Sequence, residues 1–146
     1  MRKITSQIWL GNSNDAENTP FEDCGINAML NVAHDLQGTR GYGDGMLYAQ
    51  CGLVDGPGNP RCLYAAAILL LTGMVRNNKR VIVVCHNGES RSLAVALGHL
   101  ELVQKRGLDI WMEILREKSD LPQDVPHEAH MKALKELDWK ALEAML

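Results

Sequence analysis

The chain has 146 residues, of which 46% are hydrophobic and 23% charged, a composition typical of one globular domain with a sizeable core. A net charge of −3 gives no general electrostatic footprint for nucleic acid or for an anionic membrane, so any anion must be bound by a local group of residues. We therefore expect a single domain over residues 1–146, with no nucleic-acid or membrane partner.

The N-terminus lacks an apolar segment of signal-peptide length. One apolar run, 62–75, is 14 residues long, whereas a membrane span needs roughly 20. The four cysteines form no CxxC pair and are too few for a disulfide scaffold, which predicts reduced thiols. These features predict a cytoplasmic protein.

Strands and helices are predicted to alternate along the chain. Predicted strands cover 8–10, 28–32, 46–54 and 81–84, separated by breaker-rich segments at 11–15, 37–45 and 55–60. Predicted helices cover 62–75, a segment from Ser90 that Gly107 closes, 108–118, and 127–146 opened by Pro126. This order predicts an α/β fold with a central, mostly parallel sheet flanked by helices.

The segment CHNGESRS follows the buried strand 81–84 and precedes an amphipathic helix. Ligands of open parallel sheets bind beyond the carboxyl ends of strands, where helix N–H groups point, and Cys85 stands at such a place. With Gly88 at the bend, successive amides from His86 to Arg91 can converge on one anion and stabilise a Cys85 thiolate. The Arg91 guanidinium can grip two oxygens of the same anion.

CHNGESRS resembles the signature loop of cysteine-based protein tyrosine phosphatases, and specifically that of the small dual-specificity branch. QIWLGNSNDAEN followed by GINAMLNVAHD is similar to the opening of dual-specificity catalytic domains, so the resemblance covers about 3–137. It implies a protein tyrosine phosphatase-like fold and hydrolysis of phosphotyrosine, with phosphoserine and phosphothreonine as further substrates. It also implies phosphorylated proteins or peptides as partners, oxyanion inhibitors, and no cofactor or metal.

The resemblance implies a role for each position of the loop. Cys85 would attack phosphorus and carry a phosphocysteine intermediate, and Ser92 would help the thiolate leave in the second step. The phosphoryl oxygens would be bound by the Arg91 side chain and by loop amides. The phosphate-binding residues are thus His86, Asn87, Gly88, Glu89, Ser90 and Arg91.

The leaving oxygen needs a proton from an acid on a second loop. Asp55 follows a predicted strand, lies 30 residues before Cys85 and opens a Gly/Pro segment, like the acid loop of this family. Asp44 and Asp35 are the reserve candidates for this acid. His127 and His130 have i, i+3 spacing without further matching ligands, which predicts no metal site.

The segment departs from the family pattern at one position. Val84 stands directly before the cysteine, where the family has a histidine, and this change would weaken the network that orients the loop. His86 either compensates as a cation near the thiolate or points to solvent. Cys51 either packs in the core or forms a redox pair with Cys85.

Other functions stay open. A weakly active or silent phosphate-binding module would keep Arg91 and the loop but typically lacks the cysteine, and a phosphatase for non-protein phosphoesters is a further alternative. A rhodanese-like sulfurtransferase differs in its loop spacing. Glu89, the only acidic side chain of the loop, would repel a second phosphate. The sequence therefore predicts an open site for monophosphorylated peptides.

Overall fold

The computed structural model describes residues 1–36 and 45–146. Most of the loop predicted at 37–45, including the reserve acid Asp44, lies outside the described residues.

A five-stranded sheet forms the centre of the molecule, with strand order β1-β2-β5-β3-β4. β2 pairs with β5, β5 with β3 and β3 with β4 in parallel, whereas β1 is an antiparallel edge strand on β2. The strands are β1 Arg2–Lys3, β2 Ile8–Gly11, β3 Ala28–Ala33, β4 Leu47–Leu53 and β5 Val81–Val84. The predicted mostly parallel α/β sheet is confirmed.

Both faces of the sheet are covered, because alternate residues of each buried strand point to opposite sides. Val81 and Val83 of β5 pack in the larger core with the long helices, while Ile82 and Val84 pack in a smaller core with Trp9 on the opposite face. This two-sided burial explains why β5 is apolar at every position.

Seven helices occur in the described part of the chain. They are α1 Ser13–Asn18, α2 Phe21–Cys24, α3 Arg61–Arg76, α4 Arg91–Gln104, α5 Leu108–Ser119, α6 Glu128–Lys135 and α7 Trp139–Ala144. α3 and α4 pack closely, since a Cβ on Gly98 of α4 would lie only 2.3 Å from Ile68 Cδ1. Among the described residues, no helix is long and apolar enough to cross a membrane.

Three predictions about helix ends are wrong. Lys105, in the left-handed region at φ 46°, caps α4, and Gly107, with φ 102°, instead precedes α5 as its N-cap. The single helix predicted for 127–146 is two helices, because the Asp138 side chain accepts a hydrogen bond from Ala141 N and starts α7. Pro126 precedes the α6 N-cap, His127, rather than opening the helix.

The parallel strands bring three loops to one edge of the sheet. β3 ends at Ala33, just before Asp35, β4 ends at Leu53, just before Asp55, and β5 ends directly before Cys85. Parallel strands share one carboxyl edge, so these residues are collected there although they are up to 50 positions apart in the sequence.

Candidate active site

The first six residues of CHNGESRS, Cys85–Ser90, form the loop between β5 and α4. This part of the signature loop is braced by the turn after β2. Cys85 N donates to Gly11 O at 3.2 Å, and Ser13 N donates to His86 O at 3.1 Å. Gly88 has φ +71°, and a Cβ there would lie 2.8 Å from Gly11 C and 2.9 Å from Asn12 N. Only glycine satisfies both the left-handed backbone and this close approach.

The amides of the signature loop are available for a ligand. No described residue accepts a hydrogen bond from the backbone N–H groups of residues 86–90. They lie at the N-terminus of the 14-residue helix α4, whose macrodipole favours negative charge. The loop therefore has the donors for an anion, as the sequence predicts.

Arg91 is the first residue of α4, and its side chain is fixed by contacts with Asp35 and Leu53. Its side chain is nearly buried, with Nη1 lying 2.6 Å from Asp35 Oδ1 and 3.0 Å from Leu53 O. The buried Nε has no hydrogen-bond partner among the residues that the structure describes. An unpaired buried donor on a guanidinium is costly, and an oxyanion in the loop would satisfy it.

Cys85 and Ser92 are brought together by the turn into α4. Cys85 is 1% and Ser92 0% exposed, and Cys85 Sγ lies 3.3 Å from Ser92 Oγ. The serine hydroxyl can therefore donate a hydrogen bond to the sulfur when the sulfur is a thiolate.

Asp55 is connected to α6 through His130. Asp55 Oδ1 lies 3.1 Å from His130 Nε2. Burial raises the pKa of Asp55, but hydrogen bonding by the His130 and Ser90 side chains and the nearby Arg91 charge together outweigh it, and the pKa lies below its ordinary value. The carboxyl group is 40% exposed and so remains open to a ligand.

The Asp55 loop, residues 54–60, is cross-braced by a single amide side chain. Asn59 Oδ1 accepts from Val54 N at 2.8 Å, and Asn59 Nδ2 donates to Val54 O at 2.8 Å. The same nitrogen lies 3.3 Å from Gly56 O. The loop is thus held in a defined shape despite its Gly/Pro composition.

The other predicted residues lie around this centre. The His86 and Asn87 side chains are exposed, which favours the solvent-facing alternative for His86. Glu89 Oε1 lies 3.4 Å from Arg2 Nη2, so its carboxylate is paired with the edge strand β1. Asp35 contacts Arg91, whose hydrogen bond holds the pKa of the Asp35 carboxyl below its ordinary value.

Cys51 is buried in β4, and its thiol donates to Leu63 O at 3.4 Å. Burial raises the pKa of the Cys51 thiol, and the neighbouring Cys62 raises it further. These contacts favour the packing alternative, while pairing with Cys85 stays a prediction. Val84 is fully buried beneath the loop in the smaller core.

Sequence reasoning missed the residues that support the site from a distance. The spacing of His130 from His127 suggests only a metal ligand, and Tyr64 lies in an apolar run, yet the His130 and Tyr64 side chains are in contact at 2.5 Å. Arg2 gave no signal because β1 has only two residues. A polar tyrosine tip in an otherwise apolar helix was the one clue that a buried partner exists.

Several solved structures have a similar fold. Human DUSP28 superposes with a TM-score of 0.81 at 18% identity, covering 100% of both chains. DUSP15 superposes at 0.80 with 17% identity over 98% of this chain and 92% of that chain. The human tyrosine phosphatase-like serine/threonine/tyrosine-interacting protein superposes at 0.80 with 16% identity, over 99% and 97%.

No protein-family model and no curated protein matches the sequence. The chain has the fold of the dual-specificity phosphatases, which confirms the fold that the signature loop and the opening segments imply.

Proposed function

We propose that the chain is a cysteine-dependent phosphatase of the dual-specificity family, a single catalytic domain over 1–146 that acts in the cytoplasm on phosphotyrosine and on phosphoserine or phosphothreonine in proteins. The observation that carries this proposal is the buried Cys85 sulfur, 3.3 Å from Ser92 Oγ, at the base of the signature loop. Within residues 1–36 and 45–146, neither the amides of that loop nor Arg91 Nε has a hydrogen-bond partner. A tetrahedral oxyanion matches these donors.

The reaction proceeds in two displacements. The Cys85 thiolate attacks phosphorus, the S–P bond forms, and the P–O bond breaks while the leaving oxygen takes a proton from Asp55. Water then attacks the phosphocysteine, the Asp55 carboxylate takes a proton from that water, and the S–P bond breaks to return the thiolate. Arg91 and the loop amides stabilise the equatorial oxygens in both steps.

The decisive experiment compares turnover of para-nitrophenyl phosphate with binding of tungstate. Cys85→Ser is expected to abolish turnover and retain tungstate binding, because a hydroxyl is a much poorer nucleophile but leaves the amides in place. Arg91→Ala should weaken both, and Cys62→Ser, an exposed cysteine away from the loop, is the matched control with parental activity. Full turnover by Cys85→Ser would overturn the phosphocysteine mechanism.

The role of Asp55 is tested separately with a series of leaving groups. Asp55→Asn should slow esters with basic leaving groups by roughly 10²–10⁴-fold and activated aryl phosphates much less, since only the former need a proton. Equal losses across the series would assign the acid to another residue.

A phosphate-binding interaction module is the second candidate. It is favoured by Asp55 itself, whose pKa is lowered by the hydrogen bond from His130 whereas a general acid must be protonated, and by Val84 in place of the family's histidine. Tight binding of a phosphopeptide with no turnover, by a protein whose Cys85 reacts with a thiol reagent, would select this function.

A further inference from the structure

A chain of hydrogen bonds leads from α3 to the carboxyl group of Asp55. The His130 side chain is completely buried, with Nδ1 lying 2.5 Å from the Tyr64 hydroxyl and Nε2 lying 3.1 Å from Asp55 Oδ1. The Tyr64 hydroxyl also lies 3.2 Å from Nδ2 of Asn59, the residue that braces the Asp55 loop. The four side chains therefore connect α3, α6 and the Asp55 loop.

The positions of the hydrogens follow from the chemistry of the partners. A carboxylate only accepts hydrogen bonds, so His130 Nε2 must carry the hydrogen in its contact with Asp55. Burial lowers the pKa of His130 although Asp55 acts in the opposite direction, which favours the neutral ring. Nδ1 of a neutral ring protonated at Nε2 is an acceptor, and the Tyr64 hydroxyl donates to it.

We infer that His130 is a positioning residue for the proposed general acid: its ring, fixed by Tyr64, donates from Nε2 to Asp55 and aims that carboxyl group at the leaving oxygen. This inference rests on the proposed function, in which Asp55 is the acid.

The same end of α6 also contacts the signature loop. His127 N donates to Ser90 Oγ at 3.0 Å, and the Ser90 side chain lowers the pKa of Asp55. The contact between α6 and the signature loop therefore lies beside the carboxyl group that His130 contacts. The charged or titratable groups facing His130 are Asp55 from its loop, Tyr64 from α3, Arg91 from α4, and His127 of α6.

Two substitutions distinguish the roles of Nδ1 and Nε2 of the His130 ring. In His130→Gln the amide nitrogen takes the approximate place of Nε2 and keeps the donor to Asp55, whereas His130→Asn keeps a partner for Tyr64 near Nδ1 and loses that donor. We expect His130→Asn to slow phenyl phosphate at least about tenfold, because a misplaced acid loses much of its effect. Its effect on an activated aryl phosphate should be small, and His130→Gln should resemble the parent.

The pH dependence gives a readout that a purely structural role would not move. A donated hydrogen bond favours the carboxylate, so losing it raises the pKa of Asp55. The proposed acid works only when protonated, so the alkaline limb of kcat/KM for phenyl phosphate should move to higher pH in His130→Asn while its plateau falls. Tyr64→Phe, which releases the ring, should change both quantities in the same directions but less.

His99→Asn is the matched control, because His99 is also a buried histidine whose Nδ1 meets a hydroxyl, that of Thr72 at 2.8 Å, on helices away from Asp55. It should leave the leaving-group dependence and the alkaline limb at parental values. Thermal denaturation of each variant identifies loss of folding.

Nitrogen NMR of the parent tests the inference without any substitution. A His130 ring protonated at Nε2 alone at neutral pH supports it, whereas protonation at Nδ1 overturns it. It is also overturned if His130→Asn and His130→Gln have the same leaving-group dependence and alkaline limb. If Asp55→Asn has no effect on any leaving group while Cys85→Ser is inactive, the acid assignment and this inference both fail, and the phosphocysteine mechanism stands.

Discussion

Arg91 Nη1 lies 2.6 Å from Asp35 Oδ1, so the guanidinium proposed to bind phosphate is itself paired with a carboxylate. The Arg91 side chain is 4% exposed and that of Asp35 42%, so the buried cation is compensated from the surface. Nη1 of the guanidinium is fixed by Asp35 and Leu53 O, while Nε has no partner in the described part of the chain. The pair therefore orients the Arg91 side chain.

Asp35→Asn removes the charge and keeps an oxygen near Arg91. We expect a lower melting temperature without ligand, because a buried cation loses its partner. Tungstate should then stabilise the variant by a larger temperature shift than the parent, since the anion supplies the missing charge. The measurement is thermal denaturation with and without tungstate. Equal shifts in both proteins would mean that the pair contributes to folding alone.

Ser92→Ala tests the hydroxyl beside the nucleophile. A hydrogen bond to a charged group contributes about 1.5–3 kcal/mol, so the step in which the thiolate leaves should slow by roughly 10- to 100-fold. The first step needs this bond less, so rapid mixing should reveal a burst of nitrophenol close to one equivalent. Ser90→Ala removes a side chain that lowers the pKa of Asp55, so it should instead change the leaving-group dependence. A Ser92→Ala protein without a burst would contradict the assigned role.

The edge of the sheet that carries the site could be predicted, because the residues in and after each strand indicate where that strand ends. β5 has four apolar residues in succession and ends at Cys85, and the breakers after β4 place Asp55 at the same edge. The His130 contact could not be predicted, since it joins α6 to a loop 75 residues earlier. A hydrogen bond between residues so far apart in the sequence leaves no repeating pattern by which it could be predicted. The break between α6 and α7 was missed because the apolar spacing continues through it, from buried Leu134 to buried Leu142.

His99 makes stability depend on pH. Burial lowers its pKa from 6.5 to about 4, so between these values the unfolded chain binds more protons than the folded protein. The contribution of His99 to the free energy of unfolding is therefore fully present above pH 6.5 and is lost as the pH drops towards 4. At roughly 1.4 kcal/mol per unit, the loss from this one residue is about 3 kcal/mol.

In His99→Asn the free energy of unfolding should depend much less on pH, because asparagine does not titrate. The asparagine amide can still donate to the Thr72 oxygen. Urea denaturation of both proteins at several pH values between 4 and 7 measures the pH dependence. Part of it should remain, since the pKa of His130 is lowered too. The carboxyl groups of Asp35 and Asp55, with lowered pKa values, contribute stability that is lost only below their ordinary value of 3.8. If the free energy of unfolding changes with pH equally in parent and variant, His99 is not buried as a neutral ring.

At the rim of the site, Glu89 Oε1 lies 3.4 Å from Arg2 Nη2, and both side chains are about one third exposed. Two unit charges 4 Å apart interact by about 1 kcal/mol in water and about 4 kcal/mol at an effective dielectric of 20. A second phosphate beside the loop would therefore be repelled by Glu89 and attracted by Arg2. Because the carboxylate is held by Arg2, the net penalty is smaller than that of a lone glutamate.

Removing either charge should change selectivity in opposite directions. Glu89→Gln is expected to raise catalytic efficiency on a soluble phosphoinositide with several phosphates, relative to a phosphotyrosine peptide, by about fivefold or more. Arg2→Gln should lower the same ratio. Taking the ratio of two substrates cancels losses that affect the whole site, and raising the ionic strength should weaken both effects, because exposed charges are screened. A parent that prefers the phosphoinositide, or two variants that shift the ratio in the same direction, would show that the Arg2–Glu89 pair does not face the second phosphate.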